Sequence, residues 1–162
     1  MAHNGDAFDM KKLKGRILYH RLSPLTNIST IDTLKLSRAN FNHNSHKLDY
    51  LTKYLGFKGK IETGGLKLWL DIEKGSKQAL RKMIRYCKND VTELEAFFLE
   101  ILPHCERLPV NLSLIINNDK DGCPNCGNKS IQKWGYKYTP AGRYQRYKCN
   151  HCGHVYKDSR AS

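Results

Sequence analysis

Apolar positions recur at helical spacing over most of the first hundred residues. In residues 7–22, Phe8, Leu13, Ile17, Leu18 and Leu22 fall roughly on one side of a helix, and Ser23-Pro24 ends it. Residues 28–33 (I-S-T-I-D-T) form a short β-prone run, the one strand expected before residue 110. Residues 34–41 and 47–55 read as short helices, the second stopped by Gly56, and residues 58–65 as a turn-rich basic loop. Residues 66–73 read as a helix with Leu66, Trp69 and Leu70 on one side. Ser76 stands where it can cap a long helix reaching residue 102, with a kink expected near residues 86–90. Pro103 and Pro109 close a first domain, 1–110. Residues 111–122, a brief apolar run followed by N-N-D-K-D-G, then read as a linker into a second domain, 123–162.

In the second domain the period changes from helix to strand. Residues 133–148 (K-W-G-Y-K-Y-T-P-A-G-R-Y-Q-R-Y-K) alternate basic and aromatic positions, and the two arms read as strands joined at T-P-A-G. Alternation on such a ribbon sends one set of side chains inward and the other to solvent.

Composition narrows the setting. Hydrophobic residues make up 40 % of the chain, no apolar run approaches the ~18 residues needed to span a bilayer, and no signal peptide is visible at the start. A cytoplasmic protein with reduced cysteines is therefore expected, without membrane attachment. The formal charge is +13, with 19 Lys/Arg against 12 Asp/Glu in residues 1–110 and 9 against 3 in residues 111–162. A basic excess in both halves points to a polyanionic partner, of which nucleic acid is the commonest.

Cys123-Pro-Asn-Cys126-Gly and Cys149-Asn-His-Cys152-Gly are two C-x-x-C-G knuckles separated by 22 residues. Two such knuckles supply four thiolates to a tetrahedral ion, and the trailing Gly127 and Gly153 allow the tight turn that each requires. Cys123, Cys126, Cys149 and Cys152 are thus expected to hold a structural zinc. His151 and His154 are competing imidazoles, and redox cysteines are the alternative chemistry. Cys87 and Cys105 lack this spacing and read as ordinary thiols. Between the knuckles, Lys133, Tyr136, Lys137, Tyr138, Arg143, Tyr144, Arg146 and Lys148 are the candidate nucleic-acid contacts: cations for phosphates, rings for bases. The bland alternative is that the rings cover the metal site and the charges solvate the hairpin. The segment resembles the zinc ribbons of transposases and many phage proteins, which implies contact with nucleic acid, DNA ahead of RNA.

At the other end, Asn4 is followed by Phe8 and Asp9, and far along the chain stands Tyr86-Cys-Lys-Asn-Asp90. The i, i+4 spacing puts Tyr86 and Asp90 on one face of a helix. The first motif resembles the N-x-x-x-F-D of DEDD exonucleases and the second the Y-x-x-x-D of their tyrosine branch. The intervening I-D-T-L-K-L-S-R, K-L-D-Y-L-T-K-Y-L-G and T-G-G segments resemble phage ribonuclease H-like exonucleases. The resemblance covers nearly the whole chain. It implies that Asp9 and Asp90 bind Mg²⁺ or Mn²⁺, that Tyr86 orients the attacking water, and that Phe8 packs under Asp9. A phenol titrating near pH 10 is poorly suited to be the base itself, so metal-bound hydroxide would serve. Asp6 is expected to be solvated and Asp32 to be structural.

The family's first strand carries an Asp-x-Glu pair ahead of the N-x-x-x-F-D motif, and residues 1–8 contain none. The resemblance therefore implies an α/β ribonuclease H-like exonuclease fold, N-terminally truncated and mostly helical as it stands, plus a small β zinc ribbon. The function expected is that of the C-terminal portion of a metal-dependent 3′–5′ exonuclease, inactive alone and completed by an upstream polypeptide. The alternative is a non-enzymatic zinc-ribbon protein that binds nucleic acid on a decayed nuclease scaffold. In a phage protein the location would be the host cytoplasm.

Overall fold

The computed structural model describes residues 1–26, 28–57 and 64–158, so most of the basic loop expected at 58–65 lies outside the described residues. The chain forms two compact units, residues 1–42 with 100–162, and residues 43–99. No described helix is long and apolar enough to cross a membrane.

The helices fall where the apolar spacing puts them. In the first unit are α1 (Asp9–Tyr19), α2 (Thr33–Asn40) and α6 (Leu112–Asn117). The second contains α3 (Leu48–Tyr54), α4 (Leu66–Glu73) and nearly all of α5 (Lys77–Ile101), whose last residues pass into the first unit as a 3₁₀ turn, Leu102–His104. Ser76 caps α5, its Oγ accepting from the Ala79 amide at 3.3 Å. One unbroken helix of 25 residues runs through Tyr86 and Asp90. In the 43–99 unit Leu51, Leu68, Ala79, Phe97 and Phe98 are buried. In α4 Leu66, Trp69 and Leu70 share a side as expected, and that side faces solvent; the covered side is Leu68 with the half-buried Asp71 and Ile72.

Residues 28–33 do not form a strand. They run beside the first residues in a single parallel bridge between Ala2 and Asp32, made by Ala2 N–H to Ile31 O (3.0 Å) and Thr33 N–H to Ala2 O (2.9 Å). A β-prone segment becomes a strand only where a partner continues the ladder, and among the described residues none continues this one. For the same reason the apolar stripe of α1 is uncovered: no residue of α1 is buried, and Leu13, Leu18 and Tyr19 are exposed.

Asp32 is what closes the first unit at its N-terminal end. Its carboxylate, buried at 4 % exposure, caps α2 by accepting from the Leu34 amide at 3.0 Å. It also accepts from the amides of Asn4 (2.8 Å) and Asp6 (3.2 Å). Asp32→Ala would strand three backbone donors at once, so unfolding should become easier by about 3 kcal/mol in denaturant titration, and Asp32→Asn, which keeps one acceptor oxygen, by less.

Candidate metal centre and nucleic-acid interface

The second half of the chain forms an antiparallel sheet of three strands in the order β1 (Ile131–Thr139), β2 (Gly142–Cys149), β3 (Val155–Lys157). The turn falls at Pro140-Ala141, as expected from T-P-A-G. At the base of the sheet the knuckles converge. Sγ of Cys123 and Cys152 are 3.7 Å apart, Sγ of Cys126 and Cys149 3.6 Å, and all four sulfurs lie within 4.8 Å of one another. A tetrahedron with Zn–S bonds of ~2.3 Å has edges of ~3.8 Å, so the four thiols fit a tetrahedral ion such as zinc.

Each knuckle is closed by its glycine amide, Gly127 N–H to Cys123 O (2.8 Å) and Gly153 N–H to Cys149 O (3.0 Å). Gly127 has φ +73° and faces the Asn117 side chain, so both its backbone and its surroundings disfavour a side chain there. Burial pushes the thiols of Cys123, Cys126 and Cys152 up to about 11. Burial acts on Cys149 in the same sense, but the amides of Cys152 and His151 outweigh it and hold that thiol below its ordinary value. An ion entering the cluster must displace these protons.

The imidazoles stay outside the cluster. His151 is exposed. His154 is buried, and its ring donates to the Pro103 carbonyl while burial holds its pKa below the usual value. Cys87 is exposed, and Cys105 is buried apart from the four.

The first knuckle is joined to the 3₁₀ turn that follows α5. Asn125, 1 % exposed, donates through Nδ2 to the carbonyls of Leu102 (2.8 Å) and Cys105 (3.2 Å). The stretch read as a linker contains α6, capped by Asn111 and tied to the knuckle by Leu112 N–H to Pro124 O at 2.8 Å.

The sheet register distributes the candidate contacts over two faces. Pairing of Lys133 with Tyr147 and Tyr156, of Tyr136 with Gln145, and of Tyr138 with Arg143 puts these side chains on one face. Lys137, Tyr144, Arg146 and Lys148 occupy the other, joined by Lys157 of β3 opposite Arg146. A register shift between Lys133 and Tyr136 brings Trp134 to this second face, where the Lys148 ammonium lies 4.4 Å from its ring centroid. Cations cover rings elsewhere too: Lys157 over Tyr144 at 3.7 Å and Arg143 over Tyr136 at 4.5 Å. Simple alternation therefore fails at the bulge. Lys157, beyond the second knuckle, joins the face only through the pairing of β3.

In the N-terminal motif, Asp9 is the exposed first residue of α1. Phe8 does not pack beneath it. The ring is 57 % exposed, with the Lys12 ammonium 5.7 Å from its centroid. Asp6 is not free in solvent as expected. Its carboxylate accepts from Lys35 Nζ and Thr30 Oγ1, both at 2.6 Å, and these bonds, the Lys35 one foremost, hold its pKa below the ordinary carboxylate value. Tyr86 and Asp90 meet as their spacing requires. The phenol donates to the carboxylate, which raises its pKa above the ordinary 10.0, with burial adding to the effect. Asp90 Oδ1 is buried without a hydrogen-bond partner, an available oxygen of the kind a hard divalent cation takes. Asp9 belongs to the first unit and the Tyr86–Asp90 pair to the second.

The family model described as RNase_H superfamily matches residues 1–100. The chain belongs to the RNase H superfamily. No curated protein and no solved structure matches it. Superfamily membership points to a nuclease-like function on nucleic acid. The four-cysteine site lies outside the matched residues. One Asp-x-Glu triplet does occur in the sequence, Asp71-Ile72-Glu73, but it ends helix α4. On a strand, residues i and i+2 share a face; on a helix they project about 200° apart, so this triplet does not present its two carboxylates together.

The metal centre makes a direct prediction. The purified chain should carry one zinc ion, measured by elemental analysis, and Cys149→Ser should abolish binding and unfold the sheet. Because the thiols must lose protons, zinc should dissociate progressively as pH is lowered, with protons taken up on release.

Proposed function

We propose that the chain binds nucleic acid through its zinc-supported sheet and carries part of a 3′–5′ exonuclease site dependent on Mg²⁺ or Mn²⁺. Asp9 and Asp90 are the metal ligands and Tyr86 positions the attacking water. The observation that carries the nuclease part is the Tyr86–Asp90 pair, one carboxylate oxygen of which is buried without a partner. A phenol with its pKa raised by this carboxylate keeps its proton at neutral pH, so it orients water rather than deprotonating it. A divalent ion bound there supplies Lewis-acid activation of water and charge neutralisation at the phosphate.

Two-metal sites hold ions ~3.5–4 Å apart and need more carboxylates than Asp9 and Asp90 provide. The chain of 1–162 alone should therefore leave labelled 3′ ends of single- and double-stranded DNA intact in Mg²⁺ or Mn²⁺. A polypeptide contributing an Asp-x-Glu pair on a strand should restore hydrolysis. Turnover by the purified chain that is lost in Asp90→Asn would reject the claim of inactivity.

A second reading, a non-enzymatic nucleic-acid-binding protein, is favoured by a specific contrast. The face with Trp134, Tyr144, Arg146, Lys148 and Lys157 comes entirely from this chain. In both readings DNA is the preferred ligand over RNA, and the protein acts in the cytoplasm, that of the host if it is phage-encoded. Arg146→Gln with Lys148→Gln should weaken DNA binding and lower the slope of log K against log salt, whereas Asp9→Ala and Asp90→Ala should leave both unchanged. Equal affinity of the sheet variant and the unaltered chain would remove the sheet from the proposal.

A further inference from the structure

Helix α5 segregates its charges. Residues 77–89 contain five Lys/Arg and no Asp/Glu, whereas residues 90–101 contain four Asp/Glu and no Lys/Arg. This order runs against the helix dipole, which favours acids in the first turn and bases in the last; α5 has neither. It also puts like charges next to each other on the surface, Lys77 beside Arg81 and Arg81 beside Arg85 at i, i+4, an arrangement that weakens an isolated helix. The stability of the helix therefore does not explain the pattern.

Geometry gives the pattern a direction. At 100° per residue, Lys77, Arg81, Arg85 and Lys88 fall within about 80° of arc, on the side opposite the buried Ala79, Glu93 and Phe97. Arg81, Lys82 and Arg85 also line a groove of about 570 Å³ with Lys67 of α4, and among the described residues Asp71 is its one carboxylate. Among the described residues the ion pairs are Lys35–Asp6, Lys53–Asp49 and Lys129–Asp119, and none uses a cation of this groove. Every residue involved lies in the 43–99 unit.

We infer that this groove binds the sugar-phosphate backbone of a nucleic acid, as a second contact surface in addition to the three-stranded sheet. The inference rests on the reading of the chain as a nucleic-acid-binding protein. From residue 77 to residue 88 the stripe runs about 16 Å at 1.5 Å per residue, long enough to follow several consecutive phosphates. Two arginines offer planar forks that match phosphate oxygens, and the lysines add point charges. Among the described residues no aromatic ring lines the groove, so binding there falls on phosphates rather than bases and is independent of sequence.

The test uses the full zinc-loaded chain, with fluorescence anisotropy on short single-stranded DNA and RNA over a salt series. Two groove variants, Arg81→Gln/Arg85→Gln and Lys67→Gln/Lys82→Gln, are compared with the sheet variant Arg146→Gln/Lys148→Gln, and thermal melting and zinc content confirm that each is folded. Each groove variant is expected to bind both strands more weakly and to reduce the salt slope by about 1.4, at ~0.7 for each phosphate that is no longer neutralised. The same reduction should appear when either groove pair is combined with the sheet variant. Unchanged affinity and slope in both folded groove variants would overturn the inference, and if the sheet variant still weakens binding, the nucleic-acid reading survives without the groove. Failure of the unaltered chain to bind either strand overturns the underlying reading as well.

Discussion

The convergence of four sulfurs is the constraint on which the C-terminal half depends. Between Cys123 and Lys157 the apolar residues under cover are few; those fully shielded are Cys123 and Cys149 themselves, beside polar Asn125 and His154. A three-stranded sheet with Trp134, Tyr136 and Tyr138 facing solvent has too little core to hold its register alone. A metal ion held by the four thiolates would take the place of that core, and the folding of the module would then be inseparable from its protonation and metal content. The consequence extends beyond the sheet. Asn125 and His154 sit where the knuckles hold them, and together they satisfy the carbonyls of Leu102, Pro103 and Cys105 just after α5. The 3₁₀ turn that follows α5 is thereby tied to the first knuckle.

The N-terminal end is organised by polar bonds rather than by apolar packing. Asp32 gathers three amides, while Asp6 is held by Lys35 and Thr30. The motif loop is thereby shaped while its apolar members, Phe8 and the stripe of α1, remain in water. The sheet face shows a related economy of parts. On its second face Lys148 lies over the ring of Trp134 and Lys157 over that of Tyr144, and these contacts orient both rings.

Much of this was legible in the sequence. Apolar spacing located α1 to α5 within a few residues, Ser76 announced the start of α5, and the i, i+4 spacing of Tyr86 and Asp90 foretold their contact. The paired C-x-x-C-G knuckles announced the sulfur cluster, because the chemistry of four close thiolates depends on spacings of two residues and little else. Readings failed where the answer depended on a distant partner. Residues 28–33 have the side chains of a strand but no continuing ladder; Asp6 looked solvated because Lys35 is far away in sequence.

Local spacing thus determined the helices, the turn at Pro140-Ala141 and the ligand set of the metal centre, since each depends on backbone geometry within a few residues. Tertiary structure decided the rest. It chose Leu68 over Trp69 as the covered side of α4, and it moved Trp134 across the sheet at a bulge. It brought Lys157 beside Arg146, and bonded Asn125 of the knuckle to the carbonyls of Leu102 and Cys105, some twenty residues away. In each case the reason is the same: burial and hydrogen-bond satisfaction are set by groups far apart in the chain, and no local pattern records which of them will meet.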